Sequence, residues 1–321
     1  MMPDNDYYGH RTALARYCNT KKLSPAVYGT IRHGWQPSLG TIGNRRITSA
    51  PIFVWNEREA REAAHRSIPN VIAIGAPFIY AVATLTTTNA ATSDPTSDPT
   101  SDTATVHSPP NLSPPGAGTI VFPQHSDGTG AITQNVHRLI RDTEANEPGP
   151  YTASVFYQDL TNPNYAEPFR DAGWRIITFG SRADPNFMTR LIIELTAHAA
   201  VVSDTACSAI WYAAHLNKRI RVLGEPPTVT RTAGSTVIDL AEHYPELHTG
   251  GIDGPAAQQL AAVELGVNQM REPDELATLL GWTTWRRYAA PAIRTILDAR
   301  HGNDLRRGEP QSRAHRQTHA T

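Results

Sequence analysis

The sequence predicts an α/β protein made of two parallel-sheet domains. Short apolar runs bounded by small polar residues recur along the chain, and segments of helical periodicity lie between them. A low-complexity stretch then divides these strand-helix units into two series.

At 321 residues the chain is long enough for two ordinary domains. Its 29 Lys and Arg against 30 Asp and Glu leave a formal net charge of -1, so overall charge gives no argument for nucleic acid. Charged residues at 18%, with 25 Pro and 22 Gly, suit many loops around an apolar sheet. Cys18 and Cys207 are far apart and lack a CxxC partner, which argues against a disulfide framework or zinc knuckle and fits a reducing cytoplasm. Residues 1–28 mix acids and bases without an apolar core, so no secretory signal is read there. The longest apolar stretch, 71–85, is broken by Gly75, Pro77 and Thr84 and falls short of the roughly 20 apolar residues a membrane span needs. The chain reads as soluble, with peripheral membrane contact left open.

In the first series, residues 8–19 bring Leu14, Ala15 and Tyr17 to one helical face. Residues 26–31 read as a strand ending in Arg32-His33-Gly34-Trp35. A histidine followed by glycine just past a strand is well placed for chemistry, because functional groups gather at the C-terminal ends of parallel strands. A plain polar turn is the competing reading. Residues 51–56 form a second strand, 57–66 a solvated helix with Ala60, Ala63 and Ala64 inside, and 70–75 a third strand. The segment 84–117 repeats Ser-Asp-Pro-Thr, contains no Lys or Arg and has few large apolar residues. It reads as a flexible linker, and its spaced Asp residues as part of a repeat rather than a metal site.

The second series opens with the strand 118–122, which runs into Pro123-Gln124-His125-Ser126 and a Gly-rich loop before a helix from about residue 133. Neither GxGxxG nor GxxxxGK[ST] is present. Strands at 153–157 and 174–180 alternate with helices at 165–172 and 186–199, the last with Phe187, Leu191, Ile192 and Leu195 on one face. The run 199–202 is a buried strand. It leads through Ser203-Asp204-Thr205-Ala206-Cys207-Ser208 into a helix over 209–216, and 218–224 is the next strand. A Ser/Thr loop entering a helix can be an N-cap, and it can equally be an anion site that uses free N–H groups and the helix dipole. Three helices are read beyond Pro226, at 255–265, 273–281 and 285–299, followed by a polar tail. His137, His198 and His215 fall inside helical segments and read as structural or surface residues. Cys207 has no base beside it and reads as a packing residue. The domain reading is therefore 1–83, a linker 84–117, a second domain 118–300 with a helical end, and a disordered tail 301–321.

Taken in order, His33-Gly34-Trp35, Phe53-Val54-Trp55-Asn56, Ile74-Gly75-Ala76-Pro77, Phe122-Pro123-Gln124-His125-Ser126 and Val202 to Ser208 resemble bacterial surface and capsular polysaccharide glycosyltransferases of the two-Rossmann-domain GT-B type. A looser likeness extends to CDP-glycerol glycerophosphotransferases and UDP-sugar 2-epimerases. The resemblance implies two facing Rossmann-like domains, the first reduced. It implies a nucleotide-sugar donor on the second domain, a glycan or lipid-linked acceptor on the first, and inverting transfer with no metal or cofactor. His33 would then be the general base. His125 would assist at the phosphate or leaving group, and Ser126, Ser203, Asp204, Thr205 and Ser208 would hold the donor phosphates. Such families often carry an acid after the phosphate loop to bind ribose; here Trp211-Tyr212 take its place. Two further readings stand: an epimerase or hydrolase on the same fold, and a non-catalytic sugar-nucleotide or glycan binder. An epimerase needs several carboxylates in the cleft, and Asp127, Asp184 and Asp204 are those near the loops.

Overall fold

A computed structural model describes residues 4–22, 24–39, 50–93, 116–125, 131–230 and 240–283. The helix expected at 285–299, the tail, Ser126, Asp127 and the Ser-Asp-Pro-Thr repeat beyond Ser93 lie outside the described residues.

The architecture is mixed α/β with two all-parallel main sheets. The first has three strands, β1 (Thr30–Ile31), β2 (Ile52–Val54) and β3 (Val71–Ala73), in that order. Helix α1 (His10–Tyr17) precedes it, α2 (Glu57–His65) joins β2 to β3, and α3 (Pro77–Ser93) follows. Helix α2 starts where it does because the Asn56 side chain accepts from the Glu59 N–H at 3.0 Å, with Glu57 and Glu59 in the first turn complementing the helix dipole. Helix α3 runs ten residues into the segment whose composition suggested a linker. Its first half is apolar and packed, with Phe78, Ile79, Tyr80 and Val82 buried.

The second sheet has five strands in the order β7-β6-β4-β8-β9: β4 (Thr119–Phe122), β6 (Tyr151–Ser154), β7 (Arg175–Ile177), β8 (Ala200–Ser203) and β9 (Arg219–Val222). The connecting helices are α4 (Val136–Asn146), α5 (Pro163–Asp171), α6 (Phe187–Ala197) and α7 (Ser208–His215). All four residues of β8 are buried, as an inner strand covered on both faces requires. A small antiparallel pair, β5 (Ala131–Thr133) with β10 (Thr228–Thr230), sits beside this sheet.

The last part of the chain follows the second sheet in sequence but completes the first in space. After α8 (Leu240–His243) and α9 (Pro245–Thr249), helix α10 (Gly254–Glu264) and a turn lead to α11 (Pro273–Leu279). Ala76 donates to the Leu265 carbonyl at 2.8 Å, Tyr28 to that of Leu280 at 2.9 Å, and the Trp282 indole to that of Ala26 at 2.9 Å. One continuous core results, with Phe53 and Trp55 from the first sheet and Ile120 and Val201 from the second.

Helix α7 is the junction. Ala209 to Ala214 are all buried, so the helix is apolar on every side and enclosed on every side. Tyr212 stacks on Phe78 of α3 with centroids 4.0 Å apart and planes 6° apart, and Trp211 lies 5.4 Å from Trp35 and 4.9 Å from Tyr244. Trp211 and Tyr212, which stand where a ribose-binding acid was sought, are the aromatic contacts that join the two sheets.

Two glycines test how tightly the returning segment is docked. Gly173 and Gly266 both have left-handed backbone, with φ of 75° and 66°. A Cβ on Gly173 meets nothing, whereas one on Gly266 overlaps the Trp55 carbonyl oxygen. That oxygen already accepts from the Gly75 N–H at 2.9 Å. Gly173→Ala should cost about 1–2 kcal/mol, the price of the backbone conformation alone, and Gly266→Ala more than about 3 kcal/mol. Chemical denaturation of the two variants checks this; equal losses would show that the segment does not dock on β2.

Candidate functional site

The order of the five-stranded sheet places a crevice before any side chain is considered. The chain starts in the middle with β4, runs outward through β6 to β7, then returns to add β8 and β9 on the other side. Connections from β4 and β8 therefore leave in opposite directions, and a crevice opens beyond their C-terminal ends. The loops there are Phe122 to His125 and Ser203 to Ser208, the two polar loops singled out in the sequence.

Ser203 and Asp204 build this crevice from beneath. The Ser203 hydroxyl donates to the Phe122 carbonyl at 2.6 Å, tying β8 to β4. Asp204 accepts from the Gln124 N–H at 2.9 Å on one oxygen and from the Gln134 side-chain amide on the other. The Tyr165 hydroxyl donates to the Gln124 carbonyl. Ser203 and Asp204 are 0% and 1% exposed, so their side chains brace the loops and offer no surface to a ligand. Burial raises the Asp204 carboxyl to about 7, against the opposing pull of the Gln124 N–H. Burial, then Asp204 and Asp159, push Tyr165 upward as well.

The remaining loop residues are more open. Thr205 is half-buried, and its hydroxyl has no partner among the described residues. Cys207 is the N-cap of α7, its thiol lies 3.7 Å from the Ser203 hydroxyl, and burial raises its thiol pKa. Ser208 accepts from the Trp35 N–H at 2.9 Å, so the His33-Gly34-Trp35 turn rests directly on the start of α7. The approach does not require glycine at position 34, since a Cβ there would lie 3.7 Å from the Ser208 hydroxyl, an ordinary contact. His125 stacks on Phe156, with centroids 4.5 Å and planes 20° apart.

His33 projects from the end of β1, anchored on one side by Arg32 N–H to Phe53 carbonyl at 2.9 Å and on the other by the Trp35 contact. His33 is exposed, and the Tyr7 ring lies 5.1 Å from its own. Partial desolvation first, then the charges of Arg32 and Arg182, lower its pKa below the usual 6.5. His33 is therefore neutral, and can accept a proton, at neutral pH. His10 lies close enough to feel His33 and is buried, which drops its pKa to about 3; its Nε2 has no partner among the described residues. Among the other histidines, His198 bonds the Glu194 carbonyl at 2.7 Å and Thr152 at 3.0 Å, His215 is half-buried and edge-on to Phe78, and His137 is exposed on α4.

The structure thus joins the His33 turn to Ser208 and assigns Ser203 and Asp204 to the loop brace. Residues not singled out in the sequence complete the surroundings: Tyr7, His10 and Arg182 around His33, and Gln134 and Tyr165 around Asp204. Arg182 could have been found, since it lies just past a predicted strand; Gln134 and Tyr165 carry no sequence signal.

Fold and site define a parallel α/β protein with a switch-point crevice, approached by a histidine turn from a second sheet. No family model and no curated protein matches the chain. Two solved structures of the wall teichoic acid polymerase TagF show slight similarity. One is a histidine-to-alanine variant, with 11% identity and a TM-score of 0.27, covering 81% of this chain and 59% of that one. The other, a histidine-to-asparagine variant soaked with CDPG, has 12% identity and a TM-score of 0.27, covering 79% and 58%. The chain spans less than two thirds of their length, and an overlay of that quality carries neither an architecture nor an activity. No helix among the described residues is long and apolar enough to cross a membrane.

The Asp204 brace makes a pH-dependent prediction. Its folded-state pKa lies above the ordinary 3.8, so its protonated form favours folding. That contribution is complete below about pH 4 and is lost as pH rises through about 7. Asp204→Asn keeps the shape without the charge. Its melting temperature relative to wild type should rise by a few degrees between about pH 5 and about pH 8. Parallel melting curves at the two pH values would mean that Asp204 ionises alike in both states.

Proposed function

We propose that the protein is a glycosyltransferase moving a sugar-like unit from a nucleotide-activated donor to a surface-polysaccharide precursor, by an inverting, metal-independent displacement. The reading rests chiefly on the contact between the Trp35 N–H and Ser208 at 2.9 Å. In this reading the turn that carries His33 rests on the start of α7, a helix N-terminus suited to phosphate, beside a switch-point crevice.

In this reading the donor phosphates lie over the start of α7, where loop N–H groups, the Thr205 hydroxyl and the helix dipole meet negative charge. Ser203 and Asp204 keep that loop in shape. An open groove of about 650 Å³ beside the crevice, lined by Gln134, Asn135, Asn164, Glu167 and Glu225, gives the nucleoside room and polar partners. His33 takes the proton from the acceptor hydroxyl as the new C–O bond forms at the sugar carbon. The bond from that carbon to the donor phosphate oxygen breaks in the same displacement, and the nucleotide leaves with the electron pair. His125, on the loop after β4, supplies a hydrogen bond to the departing phosphate, and Ser126, next in sequence, is proposed as a second donor. The place of action is the cytoplasm, with peripheral contact at the inner membrane face for a lipid-linked acceptor. An epimerase is less well supported, because Asp204 is consumed by the brace and Asp184 pairs with Arg190 at 2.8 Å.

Thermal shift against UDP, CDP, CMP and GDP provides the first test. At a ligand concentration about 100-fold above Kd, the matching nucleotide should stabilise the protein by about 2.7 kcal/mol. No shift with any nucleotide would overturn the proposal. His33→Ala should lower turnover by about 10²- to 10⁴-fold while leaving the nucleotide shift intact. Unchanged turnover would remove His33 as the base, and binding without turnover in wild type would favour a non-catalytic binder. Because the His33 pKa is lowered, the acid limb of the kcat/KM profile should fall below pH 6.5.

A further inference from the structure

Arg182 lies in the loop after β7, and its guanidinium carbon is 5.3 Å from the centre of the Tyr7 ring. The same ring is 5.1 Å from His33. Tyr7 therefore touches both groups and links Arg182 to His33. The backbone on each side is fixed. Tyr8 N–H donates to the Arg182 carbonyl at 2.6 Å, and Asn5 pins the same N-terminal segment to β1, accepting from Ile31 N–H at 2.7 Å and donating to the Gly29 carbonyl at 3.0 Å.

The neighbouring arginines have partners. Arg190 is bound to Asp184 and the Phe179 carbonyl, and Arg16 to Thr189 at 3.2 Å and Asn186 at 3.1 Å. Arg32 is paired with Glu59 at 3.0 Å, and Arg58 with Glu264 at 2.8 Å. Arg182 has neither a carboxylate at ion-pair distance nor a hydrogen bond from its guanidinium among the described residues. A guanidinium offers five N–H donors in a planar fork suited to phosphate and carboxylate. Here the fork is positioned by a ring and left unassigned.

The origin of the loop separates this feature from the donor site. The start of α7 reaches the His33 turn from β8, at the switch point, whereas Arg182 comes from β7, the edge strand two places beyond β4. His33 is thus reached from two directions. If donor phosphates occupy the first, as in the transferase reading on which this step rests, an anion at the second belongs to the other substrate. We propose that Arg182, held against Tyr7, binds a phosphate or carboxylate carried by the acceptor close to the hydroxyl that His33 deprotonates. Arg182 is then a specificity-determining residue that selects an anionic acceptor.

Glucose 6-phosphate, glucuronate and uncharged glucose serve as probes, titrated without nucleotide into wild type, Arg182→Gln and Arg182→Lys. Binding is followed by NMR on the His33 ring resonances and by ligand-observed NMR. Wild type should bind at least one charged sugar, with movement of the His33 signal, and should bind glucose at least about tenfold more weakly. Arg182→Gln should lose that preference and Arg182→Lys keep part of it, with melting temperatures and nucleotide shifts like wild type. Equal binding of charged and uncharged sugars by wild type, or charged-sugar binding unchanged in Arg182→Gln, would overturn the proposal. So would loss of the nucleotide shift in Arg182→Gln, which would move Arg182 to the donor. Failure of the transferase reading shows separately, as the absence of any nucleotide shift in wild type.

Discussion

The structure depends on helix α7 being buried on every face. A helix of eight residues has little stability of its own, so tertiary packing holds it. That packing comes from both sheets at once: Phe78 of α3 stacks on Tyr212, Trp35 and Tyr244 close around Trp211, and Ile210 is fully buried. Burying one large apolar side chain stabilises by roughly 1.5–3 kcal/mol. A run of six buried residues on one short helix is therefore a large share of what holds the sheets together. The position of the loop before α7 follows from it.

The carboxylate buried at this junction has several partners, whereas the Trp211 indole N–H has none among the described residues. Glu264, 6% exposed, accepts from the Trp35 indole at 2.7 Å, Arg58 at 2.8 Å and the Tyr244 hydroxyl at 2.8 Å. Its own carbonyl takes the Asn56 side-chain amide at 2.9 Å. One residue at the end of α10 thus joins β1's turn, the start of α2 and the segment before α9. A buried carboxylate without such partners would cost several kcal/mol, so these donors specify the arrangement as much as they stabilise it. Asp204 does the same on a smaller scale beneath the crevice. Burial raises its pKa against the pull of the Gln124 N–H. The Glu59 pKa is raised too, by burial against the pull of Arg32.

The sequence revealed the strands best where burial on both faces leaves a continuous apolar run, as at Ala200 to Ser203 and Thr119 to Phe122. Helices with one polar face, such as α2 and α6, were equally legible. Helix α3 was not, because its Thr-rich second half looks like the repeat that follows it, while tertiary contacts hold its first half. The pair β5–β10 joins residues nearly a hundred apart, with no local signal for either strand. The loops of the candidate site were found because strand ends followed by Ser, Asp and Gly are visible in one dimension. The division of labour within them was not. That Ser203 and Asp204 point down while Thr205 stays open depends on β4 lying beside β8. Trp211-Tyr212 showed most clearly what periodicity misses, since an all-apolar helix gives no face to predict.

The shared core also bears on how such a site would work. Domains joined by small polar interfaces move relative to one another by default, and large apolar interfaces suppress that motion. Here the interface holds a stacked aromatic pair, two tryptophans and a fully bonded carboxylate, and a glycine packed against the Trp55 carbonyl locks the returning segment. The His33 turn is thereby held on the start of α7 through residues that do not themselves take part in chemistry. An arrangement of this kind favours preorganisation: base and anion site are aligned by folding rather than by ligand-driven closure.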